Sequence, residues 1–225
     1  MNDIVKLIAV TKGANKELDG INGEEVVSFV ARVSNPSNQG NFKTAPKLLS
    51  YLIKHKHWSP FEHSFMTLEI ETSRGIAAQI LRHRSFVFQE YSQRYSESDS
   101  YVEYDARRQD LKNRQNSIDN MDSFDKLWFK DAQSLIWSFS EGLYKEALQR
   151  GVAKEQARFL LPLNTKTRMY MTGSIRSWIT YFLVRLDKST QLEHRSIARQ
   201  CLTIFEEQFP NITEALKGIH PEIFE

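Results

Sequence analysis

The hydrophobic and polar positions of this chain follow two periods, one typical of strands and one typical of helices. Apolar side chains at alternate positions predict strands, because successive side chains of a strand point to opposite faces. Residues 64–71 show this pattern most clearly, with Met66, Leu68 and Ile70 on one side. We predict two further strands, at residues 4–10 and 166–172.

Helical spacing of apolar residues predicts most of the remaining structure. The longest helix is expected at residues 123–150, with Gly151 as its terminator. A helix at residues 45–55 should end near Trp58–Pro60, because proline disfavours the helical conformation in the residue before it. Further helices are expected at residues 24–33, 74–83, 152–160, 174–186 and 190–208, and Asn211 with Glu214 resembles a capping box for a last short helix.

Strands and helices follow one another irregularly, without regular strand–helix–strand alternation. This order predicts the α+β class, with a mixed sheet and long helices. The polar segment 96–117 is expected to be a long surface loop. We find no internal repeat and no low-complexity linker, so a single domain spanning residues 1–225 is predicted.

The composition of the chain argues against several classes of protein. With 225 residues and 40% hydrophobic residues, the chain can bury a sizeable core. The formal net charge of +2 gives no support to nucleic-acid binding by bulk charge. The single cysteine, Cys201, excludes an intrachain disulfide and a cysteine-based zinc site. The apolar runs are too short for a signal peptide or a membrane span, so no membrane association and a cytoplasmic location are predicted.

The segment from Gln79 to Tyr95 carries the densest set of reactive side chains. Guanidinium groups offer a fixed fork of donors that matches phosphate or carboxylate oxygens. On a continuing helix, Gln79 and Arg82 would share a face, whereas Arg82 and Arg84 would point to nearly opposite sides. The segment contains Arg82, His83, Arg84, Glu90, Ser92 and Arg94.

A plainer explanation is a solvated face with surface ion pairs, which is the usual environment of arginine. The apolar neighbours of this segment, among them Phe86 and Phe88, favour a ligand site instead. His55, His57, Glu62 and His63 have a spacing too loose to favour a metal over an ordinary helix end, so no metal is predicted.

Two blocks in the C-terminal half add further arginines. Arg158 lies in QARFLLPLN, and Arg176 and Arg185 lie in a segment with an apolar stripe of helical spacing. Arg185 could also be an ordinary surface cation at a helix C-terminus, where the helix dipole favours positive charge.

These blocks together resemble the flavin-dependent thymidylate synthase family. The segment RHRSFVFQEYSQR is similar to the family signature, in which Arg-His-Arg is followed by seven residues and a serine. HWSPFEH precedes it, and QARFLLPLN, an RSW-containing helix and TQLEH follow in the family's order. The resemblance covers about residues 46–200.

The resemblance implies conversion of dUMP to dTMP, with methylenetetrahydrofolate as the one-carbon donor and FAD reduced by NADPH. It also implies a homotetramer whose active sites are shared between subunits. His57 would help to admit folate or nicotinamide, and Arg185 would be catalytic, lying against the uracil and favouring ionised N3. The implied FAD contacts are Ser59, Arg82, His83, Arg84, Glu90, Ser174, Arg176 and Thr180, and the implied dUMP contacts are Gln79, Arg82, Glu90, Ser92, Arg94, Arg158 and Arg185.

The chain departs from the family pattern at Ser174, Thr180 and Thr190. Cys201 falls on the apolar side of a helix, so we interpret it as a core residue and not as a thiolate nucleophile.

Two other classes of protein remain as alternatives. One is a nucleic-acid-binding protein, although Glu90 and Glu97 interrupt the basic cluster, and the other is a metal-dependent hydrolase built on the histidines.

Overall fold

A computed structural model describes residues 4–224; residues 1–3 and 225 of the predicted domain lie outside the described residues. A four-stranded sheet of order β1-β2-β6-β3 forms the centre, and a short hairpin stands apart from it. The strands are β1 Ile4–Val10, β2 Phe65–Ser73, β3 Val87–Glu90, β4 Arg108–Gln109, β5 Ser117–Ile118 and β6 Lys166–Ser174.

The three predicted strands and the α+β class are confirmed, but the expected mixed sheet is wrong. Every strand pair within residues 4–224 is antiparallel. Phe65 lies opposite Ser174 and Ser73 lies opposite Lys166, so β2 and β6 run in opposite directions along their whole length. Each connection between adjacent strands contains at least one helix, and each returns the chain to the sheet in the opposite direction.

Eight helices surround the sheet in the described part of the chain. Short 3-10 turns lie between them, including Ser59–His63 before β2 and Arg158–Leu160 before β6. The helices are α1 Gly23–Ala31, α2 Ala45–Lys54, α3 Arg74–Ile80, α4 Ser123–Gln149, α5 Lys154–Ala157, α6 Ile175–Arg185, α7 Leu192–Gln208 and α8 Pro210–Ile219. None of these helices, within residues 4–224, is long and apolar enough to cross a membrane.

The core cluster contains residues of the sheet and of the helices α1, α2, α3, α6, α7 and α8. Met66, Leu68 and Ile70 are fully buried, as their alternation predicted. Trp178 of α6 packs into the same cluster, and its indole N–H donates to the Met66 carbonyl at 3.1 Å. Cys201 is also fully buried, and burial raises the pKa of its thiol well above the ordinary range.

Helix ends differ from the sequence-based prediction in two places near the candidate site. Helix α3 ends at Ile80, so Arg82 and Arg84 lie in a turn and not on a continuing helix. Strand β3 was not predicted, because four residues at a sheet edge give too short a pattern. Helix α2 ends at Lys54, before the predicted stop near Trp58–Pro60.

The predicted capping box of the last helix is wrong. Helix α8 begins at Pro210, and the backbone N–H groups of Asn211 and Ile212 donate to the Glu24 carboxylate at 3.0 and 3.2 Å. A buried acid from α1 therefore caps α8, and local spacing around Asn211 carried no sign of it. Burial raises the pKa of Glu24, against the effect of these hydrogen bonds.

Two strand–helix units organise the sheet. We call β2 with α3 the first unit, and β6 with α6 the second unit. In each unit the strand runs directly into the helix through a capping serine: Ser73 accepts from the Ile76 N–H, and Ser174 accepts from the Ser177 N–H, both at 3.3 Å. Because β2 and β6 are antiparallel, the two helices begin at opposite ends of the strand pair.

Candidate active site

Strand β3 and the turn before it connect the two helix starts. Val87 pairs with Thr172 and Glu90 pairs with Met169, so β3 runs along β6 away from the start of α6. The Ser177 hydroxyl donates to the Ser85 carbonyl at 3.0 Å, which ties the turn to the second unit. Glu90 consequently reaches the start of α3, at the other end of the strand pair.

At the start of α3, Glu90 accepts from Arg74 at 2.5 Å and from the Thr167 hydroxyl at 2.9 Å. The side chains of Arg74 and Glu90 are 34% and 16% exposed, so this is a largely shielded ion pair. Arg74 was missed by the sequence reasoning. A cation in the first turn of a helix is unfavourable, because it opposes the helix dipole. The position of Arg74 at the start of a predicted helix could therefore have indicated that it has a specific partner.

At the start of α6, Glu62 accepts from the Ser174 hydroxyl at 2.8 Å and from Arg176 at 2.9 Å. Both charged side chains are about half exposed. Ser59 is exposed at the beginning of the same 3-10 turn as Glu62. The Thr180 hydroxyl donates to the Arg176 carbonyl at 3.1 Å, so it is turned back onto its own helix.

The end of α6 meets the turn after α3. Arg185 Nε donates to His83 Nε2 at 2.7 Å. Since that ring nitrogen is the acceptor, we assign the imidazole proton to Nδ1. Burial, and secondarily the charge of Arg185, lower the pKa of His83 to about 4. His83 is therefore neutral at physiological pH and can hold the guanidinium in one orientation.

Two residues behind this pair were missed as site residues. The His83 ring lies edge-on to Tyr181, with ring centroids 5.0 Å apart, and His194 Nε2 is 3.2 Å from the Tyr181 hydroxyl. His194 is fully buried, and burial lowers its pKa to about 3. A buried histidine of this kind gives no periodic pattern in a sequence, so only its place in the TQLEH block could have suggested it.

Arg94 and Arg158 come together at Glu155. Arg94 Nη2 lies 3.2 Å from the Glu155 carboxylate, and Arg158 Nε donates to the Glu155 backbone carbonyl at 3.2 Å. Ser92 is exposed beside them, and its own carbonyl accepts from the backbone N–H of Tyr95 at 3.0 Å. The Arg94–Glu155 pair is mostly exposed and therefore weak, so an anionic ligand could displace it.

Arg82 and Arg84 differ from the other arginines. Both are exposed, and neither side chain forms a hydrogen bond or an ion pair with any residue of the 4–224 range. Gln79, one residue before the end of α3, donates to Gln191 at 2.5 Å and so connects α3 to the segment before α7.

The histidines before β2 form no metal centre in the described residues. His55 and His57 pack around Tyr51, with ring centroids 4.3 and 5.9 Å from it. Within residues 4–224 no group of three or more His, Cys, Asp or Glu is placed to hold a metal ion.

The structure brings some of the sequence-predicted residues together in three groups, whereas Gln79, Arg82, Arg84 and Glu90 lie outside these groups. His83 lies with Arg185, Arg94 lies with Arg158, and the third group contains Ser174 and Arg176. No hydrogen bond or ion pair between described residues joins one group to another. Within residues 4–224 the chain therefore presents separate groups of site residues, and they do not form one closed pocket.

A sequence model of the family described as thymidylate synthase complementing protein matches residues 18–211. Together with the relatives below, this match shows that the chain belongs to the flavin-dependent thymidylate synthase family. It is 53% identical to the probable flavin-dependent thymidylate synthase of Paramecium bursaria Chlorella virus 1, over 95% of this chain and 99% of that one. It is 52% identical to the flavin-dependent thymidylate synthase of Synechocystis sp., again over 95% and 99% of the two chains.

The fold also has a close match among solved structures. A UMP/dUMP methylase, PolB from Streptomyces cacaoi, solved with 5-Br dUMP bound, superposes with a TM-score of 0.83. The match covers 96% of this chain and 95% of that one. At 23% sequence identity, this likeness supports the fold alone.

Proposed function

We propose that this protein converts dUMP to dTMP, with methylenetetrahydrofolate as the one-carbon donor and FAD reduced by NADPH as the source of hydride. Support comes from the family and from the names of relatives that match nearly the whole chain. The observation that carries the proposal is the Arg185 guanidinium, which neutral His83 holds beside a turn with two arginines, Arg82 and Arg84, that have no side-chain partner among the described residues.

Arg185 suits the activation of a pyrimidine. Its guanidinium stays protonated at any physiological pH, so it cannot act as a base. A fixed positive charge beside N3 of uracil would stabilise the N3 anion and raise the electron density at C5. Cys201 offers no alternative nucleophile, since burial raises the pKa of its thiol. We therefore assign the activation of dUMP to Arg185.

The remaining dUMP contacts divide into a phosphate end and a base end. Ser92, Arg94 and Arg158 are proposed to hold the phosphate. Ser92 and Arg94 are exposed, Arg158 is half-buried, and the Arg94–Glu155 ion pair is weak. Gln79 is proposed to face the base with Arg185. Glu90 and Arg82 stay among the proposed contacts, but Glu90 already accepts from two partners within the chain, so we expect it to act mainly by orienting Arg74 and Thr167.

The hydrogen-bond donors of the implied FAD contacts suit the oxygen atoms of this cofactor. Arg82 and Arg84 present free guanidinium groups that match a diphosphate, and Ser59, Ser174 and Arg176 add exposed or polar donors at the start of α6. The cofactor would supply hydride when bound. His83 Nε2 and the Thr180 hydroxyl are already occupied within the chain, so their flavin contacts would have to use His83 Nδ1 and the Thr180 side chain's remaining acceptor capacity.

The proposed homotetramer has support from α4. Its apolar residues recur at helical spacing as predicted, yet Phe124 and Leu135 are 78% and 72% exposed, and Trp128 and Phe139 are exposed beside them. A soluble chain rarely leaves such a continuous apolar face in water. Association through α4 would cover this face and could bring arginine groups of different subunits together. The cytoplasmic location, the single domain and the His57 role stay predictions.

The proposal is tested with purified protein supplied with FAD, dUMP, methylenetetrahydrofolate and NADPH. We expect dTMP to form only when all four are present, and a parallel assay with NADH in place of NADPH measures the preference between the two reductants. Sedimentation analysis should give the mass of four chains. If the protein binds no flavin and forms no dTMP, the proposed function is wrong.

A further inference from the structure

A cleft lined by cationic side chains lies outside the groups of residues discussed above. It is bounded by the β4–β5 hairpin, the connection between α6 and α7, and the turn after α8. We call it the basic cleft and define it by its four cationic side chains, Arg107, Lys188, Arg195 and Arg199. None of the sequence-predicted site residues lines it.

The four cations of the basic cleft lack close counter-charges. No carboxylate oxygen of the described residues lies within 4 Å of any of them. Two acids also line the cleft, but both are engaged locally. Asp187 accepts from the Ser189 hydroxyl and backbone N–H, and Glu222 pairs with His220 at 3.0 Å. The lining therefore keeps a surplus of positive charge.

Hydrogen bonds to the backbone hold the three arginines in place. Arg107 Nη2 donates to the Ser117 carbonyl at 2.9 Å, Arg195 Nη1 to the Lys188 carbonyl at 3.1 Å, and Arg199 Nη1 to the Ile223 carbonyl at 2.9 Å. Each guanidinium has five N–H donors, so most of its donors stay available after one such bond. The three guanidinium groups therefore have fixed positions while most of their N–H donors can still bind an acceptor.

One donor is left without any partner although it is buried. Arg107 Nε is shielded from solvent and has no hydrogen-bond partner among the described residues. Nearly all buried polar atoms in folded proteins are paired, and an unpaired one indicates a missing water, ion or ligand. This observation is independent of the charge surplus, and an anion bound in the cleft would supply the missing acceptor.

We propose that the basic cleft binds an anion carrying at least two phosphate groups. A single monoanion would leave most of the guanidinium donors unpaired, whereas a phosphate chain offers many acceptors at short spacing. The apolar side chains of Leu183 and Leu186 and the amide of Asn116 also line the cleft. A nucleoside polyphosphate and a phosphorylated dinucleotide share the required chemistry.

Calorimetric titration of the intact protein tests the proposal, with inorganic tripolyphosphate and NADP⁺ as separate probes at low ionic strength. Saturating FAD and dUMP are present throughout, so that the arginines proposed to bind these two ligands are already occupied. We expect tripolyphosphate to bind with one site per chain. The Lys188→Gln variant should weaken binding by about tenfold, as expected for the loss of one charge-assisted contact. Lys188 is exposed and its side chain forms no hydrogen bond within the described residues, so this variant should fold normally.

Lys54→Gln is the matched control. Lys54 is exposed at the end of α2, and the same charge is removed there. It should bind tripolyphosphate like the parent chain. Displacement of tripolyphosphate by NADP⁺ would identify a dinucleotide as the occupant, and displacement only by nucleoside triphosphates would identify that class instead. The proposal is overturned if tripolyphosphate does not bind, or if Lys188→Gln and Lys54→Gln bind it equally.

Discussion

The two strand–helix units use the same local arrangement in two different environments. Each has a capping serine, an arginine in the first turn of its helix, and a glutamate from elsewhere in the chain that accepts from that arginine. In the first unit the Arg74–Glu90 pair is largely shielded, whereas in the second unit the Arg176–Glu62 pair is half exposed. Shielding strengthens an ion pair and makes the loss of one partner costly, whereas an exposed pair is weak. We infer that Arg74–Glu90 fixes structure and that Arg176 is free to exchange Glu62 for a ligand.

The units also end differently. Arg84 and Arg185 stand at the same distance along the chain after their capping serines. Arg185 completes a full-length helix and is held by His83 in the turn after the first unit. Helix α3, in contrast, stops at Ile80, and Arg84 in that turn has no side-chain partner among the described residues. One arginine is positioned by the protein, and the other can be positioned only by a ligand.

The largest expected effect separates these two arginines. Arg185→Ala should lower turnover by about 10²–10³-fold, as when a fixed donor to developing charge is removed. Arg84→Ala should mainly weaken flavin affinity, by about tenfold for one lost charge-assisted contact. Steady-state kinetics at saturating FAD, with flavin titration of each variant, measures both. Near-normal turnover of Arg185→Ala would remove its assigned role.

The contact between the units should depend on pH. The pKa values of His83 and His194 are lowered to about 4 and about 3, below the ordinary value of 6.5. The folded protein therefore favours the neutral form of both imidazoles. The free energy of unfolding is highest above pH 6.5 and decreases as the pH falls towards 4, because the unfolded chain takes up protons more readily. Each contributes a slope of about 1.4 kcal/mol per pH unit in that window.

Replacement of His83 by Gln keeps an acceptor but removes the titration. Urea unfolding of His83→Gln between pH 7 and pH 4 should show a shallower loss of unfolding free energy than the parent chain. Equal slopes would mean that His83 is already protonated, or is not held by Arg185.

A third test compares the residues directly before the two capping serines, Thr72 and Gly173. A Cβ atom on Gly173 would come within 2.5 Å of the Phe86 ring, which packs under the turn that carries Arg82 and Arg84. Gly173→Ala should therefore destabilise the fold by about 1–3 kcal/mol through overpacking. Thr72→Val replaces a buried hydroxyl that has no partner in the described residues by a methyl group of the same shape, so it should be nearly neutral. Thermal unfolding of both variants provides the comparison.

The smallest expected effect concerns the two glutamates. Glu90→Ala leaves Arg74 and Thr167 without their acceptor and should cost about 1–3 kcal/mol of unfolding free energy. Glu62→Ala removes an exposed pair and should cost about 0–1 kcal/mol. Equal losses in chemical denaturation would show that the environments of the two units do not differ as described.

Sequence patterns identified the parts of this molecule that depend on local periodicity. β2 and β6 alternate over nine residues each, and the long α4 repeats its apolar positions, so all three were predicted. Periodicity could not show that the apolar face of α4 is exposed, since burial depends on what lies against a helix. It also gave no sign of β3, a short strand whose existence depends on pairing with β6.

Contacts between distant segments account for the rest. The resemblance placed Arg185 and His83 in the site, but it did not indicate the hydrogen bond between residues that lie 102 positions apart. The same is true of Arg74 with Glu90, and of the Glu24 carboxylate that caps α8 from 188 positions away. Side-chain chemistry was readable in the sequence, whereas the partner of each side chain depended on which distant segments the fold brings together.

The most direct test of the central claim is the visible absorption spectrum of the purified protein, followed as FAD and then dUMP are added. We predict that oxidised flavin binds and colours the protein, that dUMP perturbs the flavin spectrum, and that Arg185→Ala retains the colour but loses most of the dUMP response. A protein that stays colourless with FAD, or a flavin spectrum indifferent to dUMP, would contradict it.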